Sequence, residues 1–178
     1  MDLGVISVRY ARALLKSSVM SKQEDKVYED MKTLLGHYLH LPQLRTTIDN
    51  PMLDDAKKIL VFNAACGDKP TELTKKFIKL VVDEGREQSM QFMAASYITL
   101  YRKQKNIISG KLITAAAVNP ATERKMKQMV ESRTKGTVEF QTEVNPDIIG
   151  GFILEYDTYR MDASVQRQLR DILTQLKK

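Results

Sequence analysis

The spacing of apolar residues changes once along the chain, close to Asn106. Before that point apolar residues recur every three or four positions, which is typical of amphipathic helices. After it come an alternating segment and runs rich in Ile, Val and Thr, which are typical of strands. We therefore predict two domains, residues 1–105 and 106–178.

The first domain contains five apolar stripes at helical spacing and one shorter segment. In chain order the stripes are Ile6, Tyr10, Ala13 and Leu14; Val27, Met31, Leu34, Leu35 and Tyr38; Ala56, Ile59, Leu60 and Asn63; Leu73, Phe77, Leu80 and Val81; and Met90, Met93, Ala94, Tyr97 and Leu100 or Tyr101. The shorter segment, 41–49, must end before Pro51, because proline disfavours helical geometry in the residue before it. Five or six short helices joined by short turns predict an antiparallel helical bundle.

Capping and turn residues predict where several of these helices begin and end. Ser21 and Glu24 have the spacing of a capping box, in which each side chain satisfies a free backbone N–H at the start of a helix. Gly67 and Gly85 are expected to be left-handed stops at helix ends. Pro70 marks the start of the helix that ends at Gly85.

The second domain is predicted to be a small α/β unit. Its elements in order are a buried strand at 107–118, a helix at 121–133, an alternating strand at 137–144, strands at 151–156 and 159–162 around a tight turn at Asp157-Thr158, and a final helix carrying Val165, Leu169, Ile172, Leu173 and Leu176. The order is strand, helix, three strands, helix. Together the two domains predict an α+β protein.

Composition and charge narrow the class of protein. The 178 residues include 28 Lys and Arg against 22 Asp and Glu, a formal net charge of +6. The single cysteine, Cys66, excludes an internal disulfide and a metal site built only from thiolates. No apolar run approaches the roughly 18 residues needed to span a bilayer, and the N-terminus lacks the pattern of a secretory signal. We expect membrane association only through a partner.

The chain offers little chemistry for catalysis or for a cofactor. His37 and His40 lie three residues apart on a helix and can place two imidazoles on one face, but no third ligand is nearby, so we expect ordinary helix histidines and no metal. Cys66 precedes Gly67 at a helix end, where the helix dipole disfavours a thiolate, and is expected to be structural. The motifs of phosphate-binding loops, zinc helices and serine nucleophile elbows are missing from the sequence. We predict a non-enzymatic protein without a cofactor.

A nucleic-acid-binding module is the alternative function. The basic balance permits it, and Phe152 and Tyr156 alternate onto one face of a strand, as stacking residues of RNA-binding sheets do. The flanking residues fit an RNA-recognition strand poorly, because Gly150 stands where a basic residue is expected and Ile153 where a small one is expected. Core packing explains Phe152 better, and we expect no nucleic acid.

Three stretches of the sequence resemble the delta-subunit family of F-type ATP synthases, which includes the mitochondrial oligomycin-sensitivity-conferring protein. The first is R-Y-A-R-A-L at 9–14. The second is N-P at 50–51 followed by F-I-K-L-V-V-D-E-G-R at 77–86. The third and most specific is V-N-P-D-I-I-G-G-F at 144–152, followed by D-A-S-V at 162–165. Order, spacing and total length all agree, so the resemblance covers essentially the whole chain.

The sequence departs from the family pattern at two places. Ala163 stands where the family usually has Gly, and residues 157–159 replace its usual Gly-Asp hairpin. Both departures affect expected turn geometry and leave the resemblance intact.

The resemblance implies a non-catalytic stator subunit that links the catalytic alpha/beta hexamer to the peripheral stalk, so that ion-driven rotation is coupled to ATP synthesis. In the family the N-terminal bundle binds N-terminal segments of the alpha subunits, and the C-terminal part binds the b subunits of the stalk. The implied location is the cytoplasmic face of the bacterial plasma membrane, where the chain is peripheral and attached through the complex.

The resemblance also points to the binding residues. In the family the alpha-subunit groove involves the first and fifth helices, which here predicts Tyr10, Ala13, Leu14, Phe77, Leu80 and Val81. The competing interpretation is that all six are internal core. The stalk contact is predicted at Ile153, Val165, Leu169 and Leu173. Arg86, just after Gly85, is expected to pair with a carboxylate.

Overall fold

The structure, a computed structural model, describes residues 3–134, 136–156 and 159–176. Its internal contacts divide the chain into two compact units, Met1–Lys103 and Gln104–Lys178, and the sequence-based boundary lies beside this division. The first unit is helical, and the second combines helices with a four-stranded sheet. The α+β class predicted from the sequence is confirmed.

The described part of the first unit contains six α-helices. They are α1 Leu3–Met20, α2 Glu24–His40, α3 Pro42–Ile48, α4 Asp55–Ala65, α5 Glu72–Asp83 and α6 Met90–Lys105. A short 3-10 turn, Glu87–Ser89, links α5 to α6. The predicted left-handed stops are present, because Gly67 and Gly85 both have positive φ angles.

Helices α2 and α6 supply most of the core of this unit. Their fully buried large side chains are Val27, Tyr28, Met31, Leu34, Met90, Met93 and Tyr97. The Tyr97 hydroxyl lies 2.9 Å from the Ser18 hydroxyl of α1 and 3.2 Å from the backbone carbonyl of Glu24. This buried polar contact satisfies both hydroxyl groups and joins α1 to α6 and the start of α2.

Helix α1 turns small residues, together with Leu14 of its predicted stripe, towards the bundle. Ser7, Ala11 and Ser18 are buried, whereas Ala13 is exposed and Tyr10 is half-buried. Small side chains allow the helix to pack closely on its neighbours. Leu14 and Leu15 are buried as well, whereas Tyr10 and Ala13 of the predicted stripe lie at the edge of the bundle.

The start of α5 is attached to α2 by a buried carboxylate. Thr71 is the N-cap residue, and its hydroxyl oxygen accepts a hydrogen bond from the Thr74 backbone N–H at 3.1 Å. Asp30 of α2 accepts from the Thr71 N–H at 2.9 Å and from the Thr74 hydroxyl at 2.7 Å. These bonds satisfy free donors at the helix start and fix α5 against α2.

The predicted capping box at Ser21 and Glu24 is wrong. The Ser21 hydroxyl donates back to the carbonyl oxygens of Ser17 and Ser18 at 3.0 and 3.1 Å. Lys22, with φ of 54°, then reverses the chain direction, and α2 begins at Glu24 without a side-chain cap. Ser21 thus ends α1 and does not begin α2.

The predicted stripe of α4 does not match its buried face. Lys58, Phe62 and Ala65 are buried, whereas Leu60 is 68% exposed and Ala56 is also exposed. A lysine can occupy the inner face because its ammonium lies 2.7 Å from a carboxylate oxygen of Glu87. That hydrogen bond raises the pKa of Lys58 and keeps it charged.

The second unit combines four strands and two helices among its described residues. They are β1 Ile107–Thr114, α7 Pro120–Thr134, β2 Thr137–Val144, β3 Phe152–Tyr156, β4 Tyr159–Asp162 and α8 Val165–Leu176. The sheet order is β2-β1-β3-β4, with β1 parallel to β2 and antiparallel to β3. Helix α7 makes the crossover that a parallel pair requires. Strand β1 ends at Thr114 and not at Val118 as predicted, and the predicted turn at 157–158 lies outside the described residues.

One face of the sheet and α7 enclose a small core. Its buried residues are Leu112, Val130, Val138 and Leu154, with Ile108, Met126, Phe140, Phe152, Tyr156 and Met161 packed against them. Phe152 and Tyr156 are half-buried and pack against this core, which agrees with the core-packing interpretation of Phe152.

Candidate partner-binding surfaces

An open apolar groove runs between α1 and α5. It has a volume of about 370 Å³ and is lined by Arg9, Tyr10, Ala13, Leu14, Ser17, Leu73, Lys76, Phe77 and Leu80. Five of the six residues predicted to bind the alpha subunit are in this lining. The two helices are 52 residues apart in sequence, from the end of α1 at Met20 to the start of α5 at Glu72, so only tertiary packing brings these side chains together.

The groove has a buried floor and exposed walls. Leu14 and Phe77 are 4% and 7% exposed and form the floor, whereas Ala13 is exposed and Leu80 is 50% exposed. The sixth predicted residue, Val81, does not line the groove, since its side chain is fully buried in the core. Adjacent helix positions point about 100° apart, so Leu80 faces the groove and Val81 faces the core.

The end of α5 places an arginine beside the groove. The Arg86 N–H donates to the Val81 carbonyl at 3.0 Å and the Gly85 N–H donates to the Val82 carbonyl at 2.9 Å. With Gly85 at φ of 63°, these two bonds make a Schellman motif. This motif directs Arg86 across the end of α5 towards α1.

Arg86 contacts an aromatic ring, which differs from the expected carboxylate pairing. Its guanidinium donates to the Tyr10 hydroxyl at 3.0 Å and its central carbon lies 5.3 Å from the centre of the Tyr10 ring. The Tyr10 ring in turn meets Phe77 edge to face, at 6.4 Å between centroids. These contacts restrict the Tyr10 side chain and so define one wall of the groove.

A second apolar surface lies on α8, none of whose 12 residues is buried. Its exposed apolar residues are Leu169, Ile172, Leu173 and Leu176. We call this set the α8 ridge. The sequence prediction for the stalk contact named Leu169 and Leu173 but omitted Ile172 and Leu176, although all four share one helical stripe.

The other two residues predicted for the stalk contact are less accessible. Ile153 of β3 is 6% exposed, and Val165 at the start of α8 is half-buried. A methyl group of Val165 lies 3.1 Å from the position that a Cβ on Gly150 would occupy. Val165 packs the start of α8 against Gly150, Ile153 is buried in β3, and neither residue belongs to the ridge.

The start of α8 is fixed by a short polar network. The Ser164 hydroxyl oxygen accepts from the Arg167 backbone N–H at 3.2 Å. Asp162 accepts from the Ser164 hydroxyl at 2.6 Å and from the Ser164 N–H at 3.0 Å. The hydrogen bond from the Ser164 hydroxyl lowers the pKa of Asp162. Gly151, at φ of 75°, is also required here, because a Cβ would collide with the Ala163 carbonyl oxygen.

The two histidines considered for metal binding and the cysteine considered as a nucleophile show no arrangement for either chemistry. A ring nitrogen of His37, Nδ1, lies 2.7 Å from the Ala65 carbonyl oxygen, and so donates to it, whereas His40 is exposed. Burial raises the pKa of Cys66 to about 12, which keeps the thiol protonated. Within residues 3–134, 136–156 and 159–176, no cluster of three metal-ligating side chains occurs, and no helix is long and apolar enough to cross a membrane.

Comparison with known proteins identifies the family. The family model for the ATP synthase delta (OSCP) subunit matches residues 6–176. The chain belongs to this family. A delta subunit of ATP synthase from Phocaeicola vulgatus is 45% identical over 176 residues, which cover 98% of this chain and 95% of that protein. A delta subunit from Trichodesmium erythraeum is 27% identical over 175 residues, with 98% and 96% coverage.

A solved structure shares the fold of the delta-family chain. It is a chain in the cryo-EM structure of the Toxoplasma gondii mitochondrial ATP synthase hexamer, with a TM-score of 0.64, 22% sequence identity and 97% coverage of both chains. The resemblance seen in the sequence is therefore confirmed. The chain is a non-catalytic ATP synthase subunit with a linking role in the stator.

Proposed function

We propose that this delta-family chain connects the catalytic hexamer to the peripheral stalk through two separate surfaces. In this proposal the N-terminal domain, residues 1–105, binds the N-terminal segments of the alpha subunits, and the C-terminal domain, residues 106–178, binds the b subunits. The observation that carries the proposal is the apolar groove between α1 and α5, which an amphipathic guest helix would fill.

The groove has the dimensions and surface of a helix-binding site. Its lining along α1 extends from Arg9 to Ser17, roughly 12 Å at 1.5 Å per residue, which corresponds to about two turns of a guest helix. Two turns present three apolar anchors at positions i, i+3 or i+4, and i+7. Tyr10, Phe77 and Leu80 supply apolar surface for those anchors.

The α8 ridge is the proposed contact with the stalk. An exposed stripe of four large aliphatic residues on one short helix is typical of a surface that a partner covers. The spacing from Leu169 to Leu176 extends over about two helical turns, which suits packing against another helix. Val165 contributes to this contact by packing the start of α8 against Gly150, whereas Ile153 is buried in β3.

Both contacts together explain how a non-catalytic subunit contributes to ATP synthesis. A hexamer attached to the stalk cannot turn with the central shaft, so rotation driven by ions is converted into conformational change in the catalytic subunits. The proposed location follows from the same contacts. The chain lies at the cytoplasmic face of the bacterial plasma membrane as a peripheral part of the complex.

An affinity pull-down of the tagged full-length chain from mildly solubilised native membranes tests the groove. We expect the wild-type chain to recover alpha, beta and b subunits. Leu80→Glu places a charge in the groove and should reduce alpha recovery at least about tenfold, because it removes a buried leucine contact worth roughly 1.5–3 kcal/mol. Leu60→Glu is the matched control, since Leu60 is also an exposed helical leucine but lies outside the groove.

The reciprocal variant tests the α8 ridge. Leu173→Glu should lose the b subunits and keep alpha, whereas Gln175→Glu on the same helix should keep both. Equal recovery of alpha by the wild-type and Leu80→Glu chains would remove the groove from the proposal. Recovery of nucleic acid without ATP synthase subunits would contradict the stator function and favour the alternative.

A further inference from the structure

The groove between α1 and α5 is positively charged at its edges. Arg9 on α1 and Lys76 on α5 both line it, and its lining includes no carboxylate. Neither side chain has an ion-pair partner among the residues that the structure describes. The two charges therefore remain available to a guest in the groove.

Helix α1 adds no acidic residue that could neutralise the groove, because it contains neither Asp nor Glu from Leu3 to Met20. On α5, Glu72 forms an ion pair with Lys75 at 2.8 Å and interacts with Lys76 only at longer range. A guest helix would therefore meet accessible positive charge on both walls of the groove.

We propose that the groove is selective for an acidic amphipathic helix, in which carboxylates lie on both sides of the apolar stripe. One carboxylate contacts the Arg9 guanidinium on the α1 wall, and another contacts the Lys76 ammonium on the α5 wall. The inference rests on the proposed docking of an alpha-subunit segment and specifies the chemistry of that segment. The apolar anchors supply most of the affinity, while the charges set orientation and association rate.

The two walls are not equivalent. Arg9 presents a planar guanidinium that can bind a carboxylate through two parallel hydrogen bonds, whereas Lys76 presents a compact, mobile charge. A guest carboxylate on the Arg9 side is therefore held in a defined geometry. This asymmetry gives the groove a means to distinguish one direction of the guest helix from the reverse.

The apolar floor decides between an acidic helix and a nucleic acid as the guest. Both are attracted to positive charge, but Leu14 and Phe77 at the bottom of the groove are almost fully buried, and the Tyr10 ring is already in contact with Phe77 and Arg86. An apolar stripe covers them, and a phosphate backbone would not. A neutral or basic helix would leave Arg9 and Lys76 without a partner or would be repelled.

Charge reversal in the full-length chain tests the inference. The probe is purified catalytic hexamer depleted of its own delta subunit, titrated with labelled chain at 0.05 M and 0.5 M salt. For Arg9→Glu/Lys76→Glu we expect binding to be weakened about tenfold at low salt and less than about threefold at high salt, because salt screens exposed charges. Arg12→Glu/Lys79→Glu changes the net charge equally on the same two helices but outside the groove lining, and should have a much smaller effect.

A rescue experiment and the Leu80→Glu variant distinguish failure of the charge-selectivity inference from failure of the docking proposal. Replacing acidic residues of the alpha N-terminal segment with lysine should restore binding to the charge-reversed chain and weaken binding to the wild type. Suppose that Leu80→Glu abolishes binding but Arg9→Glu/Lys76→Glu and Arg12→Glu/Lys79→Glu bind the hexamer equally well. The inference is then overturned while the docking proposal stands. If Leu80→Glu binds normally, the docking proposal itself fails. Salt-sensitive binding of single-stranded RNA that Arg9→Glu/Lys76→Glu abolishes would overturn both.

Discussion

The two apolar surfaces of this chain differ in how the rest of the protein supports them. The groove is concave, its floor is part of the buried core, and its Tyr10 wall is restricted by Arg86 and Phe77. The α8 ridge is convex and lies on a helix with no buried residue. One surface has its shape before any partner arrives, and the other is a short helix with little tertiary contact.

This difference indicates two modes of recognition. A preformed groove loses little conformational entropy when a guest binds, so its apolar contacts contribute directly to affinity. A 12-residue helix is marginally stable by itself in water, and α8 has mainly Val165 and the Ser164 cap to hold it. We expect α8 to be stabilised when its partner binds the ridge. The groove, in contrast, should already have its binding shape before its partner arrives.

The largest expected effect comes from adjacent residues of α5. Val81→Asp places a charge in the core beneath the groove and should destabilise the protein by about 4 kcal/mol, because a buried carboxylate there has no partner. Leu80→Asp should change stability by less than about 0.5 kcal/mol, since the side chain is half exposed. Urea unfolding of the full-length variants measures both. Similar losses for the two variants would show that the groove wall is core.

Glycine substitution tests the support of α8. Gly151→Ala should cost about 2–3 kcal/mol, because the new Cβ meets the Ala163 carbonyl oxygen at a position with positive φ. Gly36→Ala in α2 is the matched control and should stabilise by about 0.5–1 kcal/mol, as nothing lies within 4 Å of its added Cβ. Amide hydrogen exchange should show faster exchange in α8 for Gly151→Ala only. Slow exchange in α8 of that variant would mean that the ridge is better supported than its burial indicates.

A smaller effect is expected from the contact that restricts the groove wall. Arg86→Met removes a hydrogen bond and a cation–π contact while keeping a long aliphatic side chain. We expect alpha-subunit binding to weaken by about 1 kcal/mol, roughly fivefold, because Tyr10 becomes less restricted. Arg102→Met, which removes a similar contact to Tyr28 away from the groove, should leave binding unchanged. Titration of the delta-depleted hexamer measures the affinity of both variants. An equal loss of affinity for the two variants would show that restriction of Tyr10 does not determine binding.

The smallest expected effect is a pH dependence at the start of α8. The hydrogen bond from the Ser164 hydroxyl holds the pKa of Asp162 below its unfolded value of about 3.9. Because the folded pKa is the lower one, the stabilisation is complete above the unfolded pKa and is lost as pH falls through the folded pKa. The difference in unfolding free energy between wild type and Asp162→Asn should be less than about 1 kcal/mol from pH 5 to 7 and should shrink below about pH 4. A constant difference down to pH 2 would contradict this role of the carboxylate.

The sequence predicted the elements better than it predicted which face of each helix is buried. The stripes of α2 and α6 were correct because their core positions are filled by large apolar residues. In α4 the inner face includes Lys58, whose charge is compensated by Glu87 from a distant turn, and no local pattern reveals that pair. In α1 the inner face includes Ser7 and Ser18 beside the buried Leu14, so the apolar stripe contributes to both the core and the groove.

The groove residues were named through family resemblance, and their arrangement needed the structure. Periodicity assigns Leu80 and Val81 to one stripe, although the first faces the groove and the second the core. The Tyr10 contact of Arg86 joins residues 76 positions apart, which spacing cannot predict. The order of strands in the sheet also depends on long-range pairing. Ile172 and Leu176, by contrast, share the spacing of Leu169 and were predictable.

The contact between Ser18 and Tyr97 has a consequence for synthesis of the protein on the ribosome. Helix α1 is made first, yet the residue that completes its buried face is translated 79 positions later. At about 5–20 residues per second this delay is roughly 4–16 s. During that interval the nascent α1 has no α6 to pack against. Chains released early by premature termination would expose its inner face and are expected to be substrates for chaperones or proteases.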